Sequence, residues 1–263
     1  MKNTLGENWN SEKILNPKTL KSMSDITVIN NEVNDILSNT SDNSDYWKYI
    51  WEVRYDSEID DFEELKSRIF EAIKINVDFY WDFEDFKINF NFVYSRKDMD
   101  KLYWKETADW LVWNWGWESG PITIFSEKVF DQESCHPKSD FFPVLVHELS
   151  HKFSRREFWK IRGRFLSEWI CWLVAKQYLT RKPNWRSRFE ELYYNTWDQD
   201  PNYDQAYFFI KYLFEEFWKE KLIELYANNS ESNTFEDFKL IFKNVYNIWF
   251  EDIEAKWKKT LVK

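Results

Sequence analysis

Glycine is nearly missing from this chain: Gly6, Gly116, Gly120 and Gly163 are all that its 263 residues contain. Few tight left-handed turns are therefore expected, which suits a helix-rich fold. Cysteine is scarce too. Cys135 and Cys171 alone exclude a disulfide-rich scaffold. No apolar run approaches the length of a membrane span, and the opening MKNTLGENWNSEK has no apolar signal core. A cytoplasmic protein, with no membrane partner, is the expectation. Positive charge is in deficit: the net charge is −10. That argues against nucleic acid and anionic membrane surfaces as partners, since both reward positive charge. What the chain has in excess is aromatic residues, 21% of the total with 17 tryptophans, far above ordinary usage. A core built from large rings accounts for them.

Histidine is rare as well, with three in the chain. Two of them stand in one short motif, His147-Glu148-Leu149-Ser150-His151, within FFPVLVHELSHKF. Residues four apart share one face of an α-helix. His147 and His151 can thus present both imidazoles to one metal. Glu148 sits beside them, where it can take a proton from a bound water. The flanking Phe141, Phe142, Val144, Leu145, Val146, Leu149 and Phe153 predict a helix buried on most sides. Two buried imidazoles and a carboxylate need a partner there, and a metal ion supplies one.

Zinc in a catalytic site usually has three protein ligands and an open position. Glu168, in RFLSEWICWLVAKQYL, opens a strongly apolar helical stretch 17 residues after His151. Glu157 is the rival, at the third-ligand spacing of a metzincin, HExxHxxGxxH. Ser154 stands where that pattern has glycine, however. The methionines Met1, Met23 and Met99 all precede the motif, so no Met-turn can follow it. Glu157 also lies in a basic run, Lys152, Arg155, Arg156, Lys160, Arg162 and Arg164. Such a run reads as a solvated loop paired with acidic neighbours. Glu168 is the better candidate. Cys171, one turn after it, is expected to be buried. Cys135-His136 reads as a loop pair.

HELSH followed by FLSEWICWLVA resembles the gluzincins, in which HExxH is followed by a second helix carrying a ligand glutamate. NYDQAYFFIKYLFEEFWKEKLIEL is similar to the segment after the zinc helices in aminopeptidase N-like and peptidase-MA-like proteins. GWESGPITIF resembles their edge strand before the active-site helix. The resemblance spans roughly residues 85–245. It implies zinc held by His147, His151 and Glu168, with Glu148 as general base. It also implies a tyrosine that stabilises the oxyanion, Tyr203, with Tyr207 second. The chain departs from the pattern in three ways. The spacer before Glu168 is short, Trp169 follows the ligand where the family has glycine, and the GxMEN motif that captures a free amino terminus is absent. Gly116-Trp117-Glu118-Ser119 reads instead as a hairpin turn.

Along the chain, residues 1–44 are polar and read as a flexible or loosely docked arm, with a short helix in TVINNEVNDIL. Residues 45–263 read as one catalytic domain: an upper subdomain, 45–153, and a helical lower subdomain, 154–263. WKYIWEVRY predicts a strand. Phe62, Leu65, Ile69, Ile73 and Val77 predict a helix by their spacing. Ile88, Phe90, Phe92 and Tyr94 alternate as in a half-buried strand. KDMDKLYWKETADWLVW predicts a helix and ITIF a short strand. Two or three helices follow the one with Glu168. There is no internal repeat. The expected fold is α+β and zincin-like, a small mixed sheet over the HExxH helix with a C-terminal helical lobe.

The expected function is zinc-dependent hydrolysis of a peptide or protein substrate. The substrate would pair antiparallel with an edge strand near Pro121–Phe125. The rivals are a metzincin-like site closed by Glu157, and a catalytically silent zincin scaffold serving protein interaction.

Overall fold

The computed structural model describes residues 26–30, 44–83, 86–109, 111–114, 120–158, 164–177, 188–194, 203–230 and 233–261. A five-stranded sheet is built from β1 (Ile26–Asn30), β2 (Ile50–Asp56), β3 (Ile88–Val93), β4 (Trp113–Asn114) and β5 (Ile122–Phe125), in the order β1-β2-β3-β5-β4. β2, β3 and β5 run parallel, while β1 and β4 are antiparallel to their neighbours. The sheet is therefore mixed. The chain is α+β and mostly helical.

β2 and β3 bury Ile50, Val53, Tyr55, Ile88, Phe90 and Phe92, while Trp51 is exposed. This is the alternation of strands covered on one face. β5 is buried at all four positions, as in a strand covered on both faces. α1 (Phe62–Tyr80) connects β2 to β3. Asp61 caps it by accepting from the Glu64 N–H at 3.0 Å, and Glu63 and Glu64 complement its N-terminal dipole. Leu65, Ile69, Phe70, Ala72 and Ile73 form its buried stripe; Val77 is half-buried. α2 (Arg96–Tyr103) follows β3, and the short α3 (Phe130–Glu133) follows β5.

α4 (Phe141–Phe158) carries the histidine motif and packs along α1. Two polar ties register the pair. The Asn76 amide donates to the Val146 carbonyl at 3.2 Å, and the Tyr80 and Ser150 hydroxyls meet at 2.8 Å. Phe153 on α4 is ringed by Tyr49, Tyr80, Phe83 and Phe86 at 5.0–6.4 Å between centroids. α5 (Arg164–Val174) packs on α4, and α7 (Tyr203–Asn228) packs on α5. α6 (Phe189–Tyr194), α8 (Phe235–Tyr246) and α9 (Phe250–Thr260) complete a helical lobe around Phe250. α7 is two helical pieces joined at Trp218, whose φ of 68° breaks the helix.

Four expectations need correction. Residues 26–30 lie in the segment read as an arm, and TVIN falls in a strand rather than a helix. Five residues on β1 pair with Glu52–Asp56, and that ladder overrides the local pattern. The strand read in WKYIWEVRY begins only at Ile50, after a 3-10 helix over Ser44–Tyr49. The helix read over 97–113 stops at Tyr103. Trp104 turns left-handed, and the Asp100 carboxylate takes the Thr107 N–H at 2.7 Å and its hydroxyl at 2.6 Å. Arg96 then holds the carbonyls of Ala108, Asp109 and Leu111. Finally, β5 is not an edge strand: β4 pairs with it at Thr123 and Ile124. Among the described residues no helix is long and apolar enough to cross a membrane.

Candidate metal centre

α4 runs unbroken through the HExxH motif. Four residues of helix turn the chain by about 400°, so His147 and His151 stack on one face. Their Nε2 atoms approach to 3.0 Å. The apolar face of α5, with Leu166 and Ile170 buried, seats that helix against α4 and aims Glu168 at the same point. One Glu168 oxygen lies 3.3 Å from His147 Nε2 and the other 3.2 Å from His151 Nε2. His147, Glu148 and His151 side chains are 6%, 0% and 4% exposed, and Glu168 is 16% exposed. The site therefore meets solvent mainly past Glu168.

Two donor sets share the histidines. His147, His151 and Cys171 form a buried cluster with donor atoms within 4.8 Å of one another, which could hold a metal ion. Cys171 Sγ, however, lies 3.4 Å from His151 Nδ1, on the other edge of the ring from Glu168. Nδ1 and Nε2 diverge, so the sulfur and the carboxylate face opposite sides of one imidazole.

The outer ring nitrogens are all partnered. Gln177 Oε1 lies 2.9 Å from His147 Nδ1. Ser167 Oγ lies 3.3 Å from His151 Nδ1. Behind Ser167, the buried Tyr226 hydroxyl is close enough to Ser167 and Ser154 for both to act on it. Gln177 reaches His147 because α5 ends in a Schellman turn. The Gln177 N–H bonds the Trp172 carbonyl at 3.1 Å, the Lys176 N–H bonds Leu173 at 3.1 Å, and Lys176 takes φ 52°.

The electrostatics follow from this packing. Burial pushes Glu148 well above the usual carboxylate range, with Glu168 adding to the effect and His151 opposing it. Both Glu148 oxygens are buried without a hydrogen-bond partner, an uncommon state for an ionisable group. Burial holds His147 below its ordinary value against the pull of Glu168. Burial also opposes a charge on His151, but Cys171 and Glu168 outweigh it and hold His151 well above its ordinary value. Burial pushes the Cys171 thiol up, against the pull of His151. Burial works against ionised Glu168, yet the two rings hold it well below the carboxylate range.

Of the residues singled out in the sequence, His147, Glu148, His151 and Glu168 come together. Tyr203 opens α7, but its side chain lies outside the described residues, as does that of Glu157. A third ligand at 157 needs the helix to break after His151. α4 instead continues to Phe158, which carries position 157 about 9 Å further along the axis. Tyr207 is buried against Phe208. Cys171 is buried and Cys135 is exposed. Lys152 is not a solvated loop residue. It is buried in α4 and donates to the Gly120 carbonyl at 2.7 Å. Lys160, Arg162 and the Gly116–Ser119 turn lie outside the described residues. Ser167, Gln177 and Tyr226 went unread in the sequence. Gln177 carried a faint signal, nine residues after Glu168 at the end of the same apolar helix. No protein-family model, curated protein or solved structure matches the chain.

Proposed function

We propose that the chain is a zinc-dependent peptidase of gluzincin type, with His147, His151 and Glu168 as ligands and Glu148 as general base. One observation carries this reading. The two Nε2 atoms stand 3.0 Å apart, and the Glu168 carboxylate spans them, one oxygen 3.3 Å from His147 and the other 3.2 Å from His151. Ligand atoms bound tetrahedrally at about 2.0–2.1 Å from a common zinc are about 3.3–3.4 Å apart. Two ring nitrogens at such range can share a proton or a metal cation. Two nitrogens and one carboxylate match the donor chemistry of catalytic zinc. Zinc bound there lowers the pKa of a water and polarises a carbonyl.

Glu148 then acts on protons. Burial has raised its affinity for a proton, which suits a base that takes one from water and gives it to the leaving amine. The zincin-like arrangement is part of this proposal, supported by the HExxH helix lying beside α1 and α5 beneath a mixed sheet. Tyr203 is the proposed oxyanion donor, because it heads α7 and α7 packs on the helix of Glu168. A substrate strand would pair with β4, which ends the sheet among the described residues.

The test is hydrolysis of a peptide library by zinc-loaded wild type and Glu148→Gln. Wild type is expected to cleave. The variant is expected to hold the same zinc and not cleave. Zinc-loaded wild type that cleaves nothing, or a variant that cleaves at the wild-type rate, would refute the proposal.

A further inference from the structure

With Nε2 of both rings turned toward Glu168, each ring must carry its proton on Nδ1 whenever a cation sits among the Nε2 atoms. An imidazole in that state needs an acceptor at Nδ1 to hold its tautomer and its plane. Metal-binding histidines usually find a carboxylate, a backbone carbonyl or a water there. The partners in this chain are neutral side chains: the Gln177 amide oxygen at 2.9 Å from His147, and Ser167 Oγ and Cys171 Sγ at 3.3 and 3.4 Å from His151.

We propose that Gln177, Ser167 and Cys171 are positioning residues for the metal ligands, with Cys171 sharing the His151 N–H with Ser167 and not itself binding the ion. The inference rests on the metal site proposed above. Three observations carry it. Gln177 is delivered to His147 by a specific turn, in which Lys176 adopts φ 52° and the two Schellman bonds close. Ser167 lies one residue before Glu168 on α5, which packs on both α4 and α7, so the helix that carries the carboxylate also places the hydroxyl 3.3 Å from His151 Nδ1. Cys171 is buried behind His151, and a sulfur at Nδ1 faces away from an ion at Nε2.

The set also has a chemical consequence. A carboxylate at Nδ1 raises the basicity of a ligand imidazole. An amide oxygen, a hydroxyl and a thiol fix the rings without adding charge.

The experiment is competition for zinc between the full chain and a chromogenic chelator, together with the absorption spectrum of the cobalt(II)-substituted protein. Gln177→Ala is expected to weaken zinc binding about 10- to 100-fold, the usual cost of losing such a partner. Gln177→Glu restores an acceptor and should bind at least as tightly as wild type. Cys171→Ser should bind like wild type, whereas the double variant Ser167→Ala, Cys171→Ala should lose about 10- to 100-fold. The wild-type cobalt spectrum should lack a sulfur-to-metal charge-transfer band. Such a band, lost in Cys171→Ser, would make Cys171 a ligand and overturn its assignment. Zinc-loaded wild type with an equally tight Gln177→Ala would overturn the role of Gln177 and leave the metal site standing. Wild type without zinc would overturn both.

Discussion

One Glu148 oxygen lies 3.8 Å from His147 Nε2, yet neither oxygen of that carboxylate has a hydrogen-bond partner. A buried carboxylate in this state prefers its proton, and folding stability must follow. Its folded pKa is raised above the ordinary 4.5. The native state therefore holds the proton where the unfolded chain has released it. The stabilisation is fully present below the ordinary value and is lost as pH rises through the raised one. In chelator-treated protein, wild type should lose stability relative to Glu148→Gln as pH climbs from the ordinary carboxylate value towards and through the raised one. Denaturation midpoints of the two proteins across that range give the answer. Parallel curves would show that Glu148 is not desolvated as described.

Removing a ligand should remove the metal. His147→Ala, His151→Ala and Glu168→Ala are each expected to lower zinc content sharply, measured by elemental analysis after dialysis. Glu157→Ala should retain about one zinc per chain, since α4 runs straight past the point where a metzincin-like site would bend. Loss of zinc from Glu157→Ala with retention in Glu168→Ala would move the site to the other carboxylate.

Tyr203→Phe should keep zinc and lower peptide turnover by about 10- to 1000-fold, the range for one lost oxyanion donor. Tyr207→Phe is the control. Tyr207 is 1% exposed, so its loss should act on stability and leave turnover near wild type. If only Tyr207→Phe slows turnover, the donor lies one turn along. Two silent variants would remove α7 from the chemistry.

The helical lobe turns on Phe250. Its ring meets Phe189, Phe209, Phe235, Phe238 and Phe242 at centroid distances of 5.2–5.7 Å. Phe250→Ala should cost about 3–5 kcal/mol in chemical denaturation, the usual range for a buried phenylalanine. Folded protein should still take up zinc, because none of these rings belongs to the site. A cost below about 1 kcal/mol would mean the lobe repacks freely around the cavity.

The helices were legible because they state their own period. Leu65, Ile69 and Ile73 fall one turn apart on α1, and the HExxH spacing is itself a helical repeat. Glu168 was legible because a carboxylate is conspicuous in an apolar stretch. The strands at the margins were not. TVIN has too few residues to show a period, and its strand exists because β2 offers a partner. ITIF was read as an edge, because its outer neighbour is a strand of two residues, Trp113–Asn114, too short to show in the sequence. Ser167 and Gln177 look like ordinary polar residues in one dimension. Their roles arise only when α5 is laid against α4.

Scarcity of glycine left its mark on the turns. Trp81, Trp104, Lys176, Trp218 and Asn247 all take positive φ, where a side chain is disfavoured and glycine is at ease. Lys176 is the most telling, since the next residue is the one that reaches His147. A glycine there would relax the turn, but it would also release more conformational freedom to the unfolded chain. With lysine in place, the approach of Gln177 depends on the two backbone bonds that close the bend. The bend beside the centre is thus closed by two backbone hydrogen bonds around a lysine, and the hinge that glycine would have provided there has been left out.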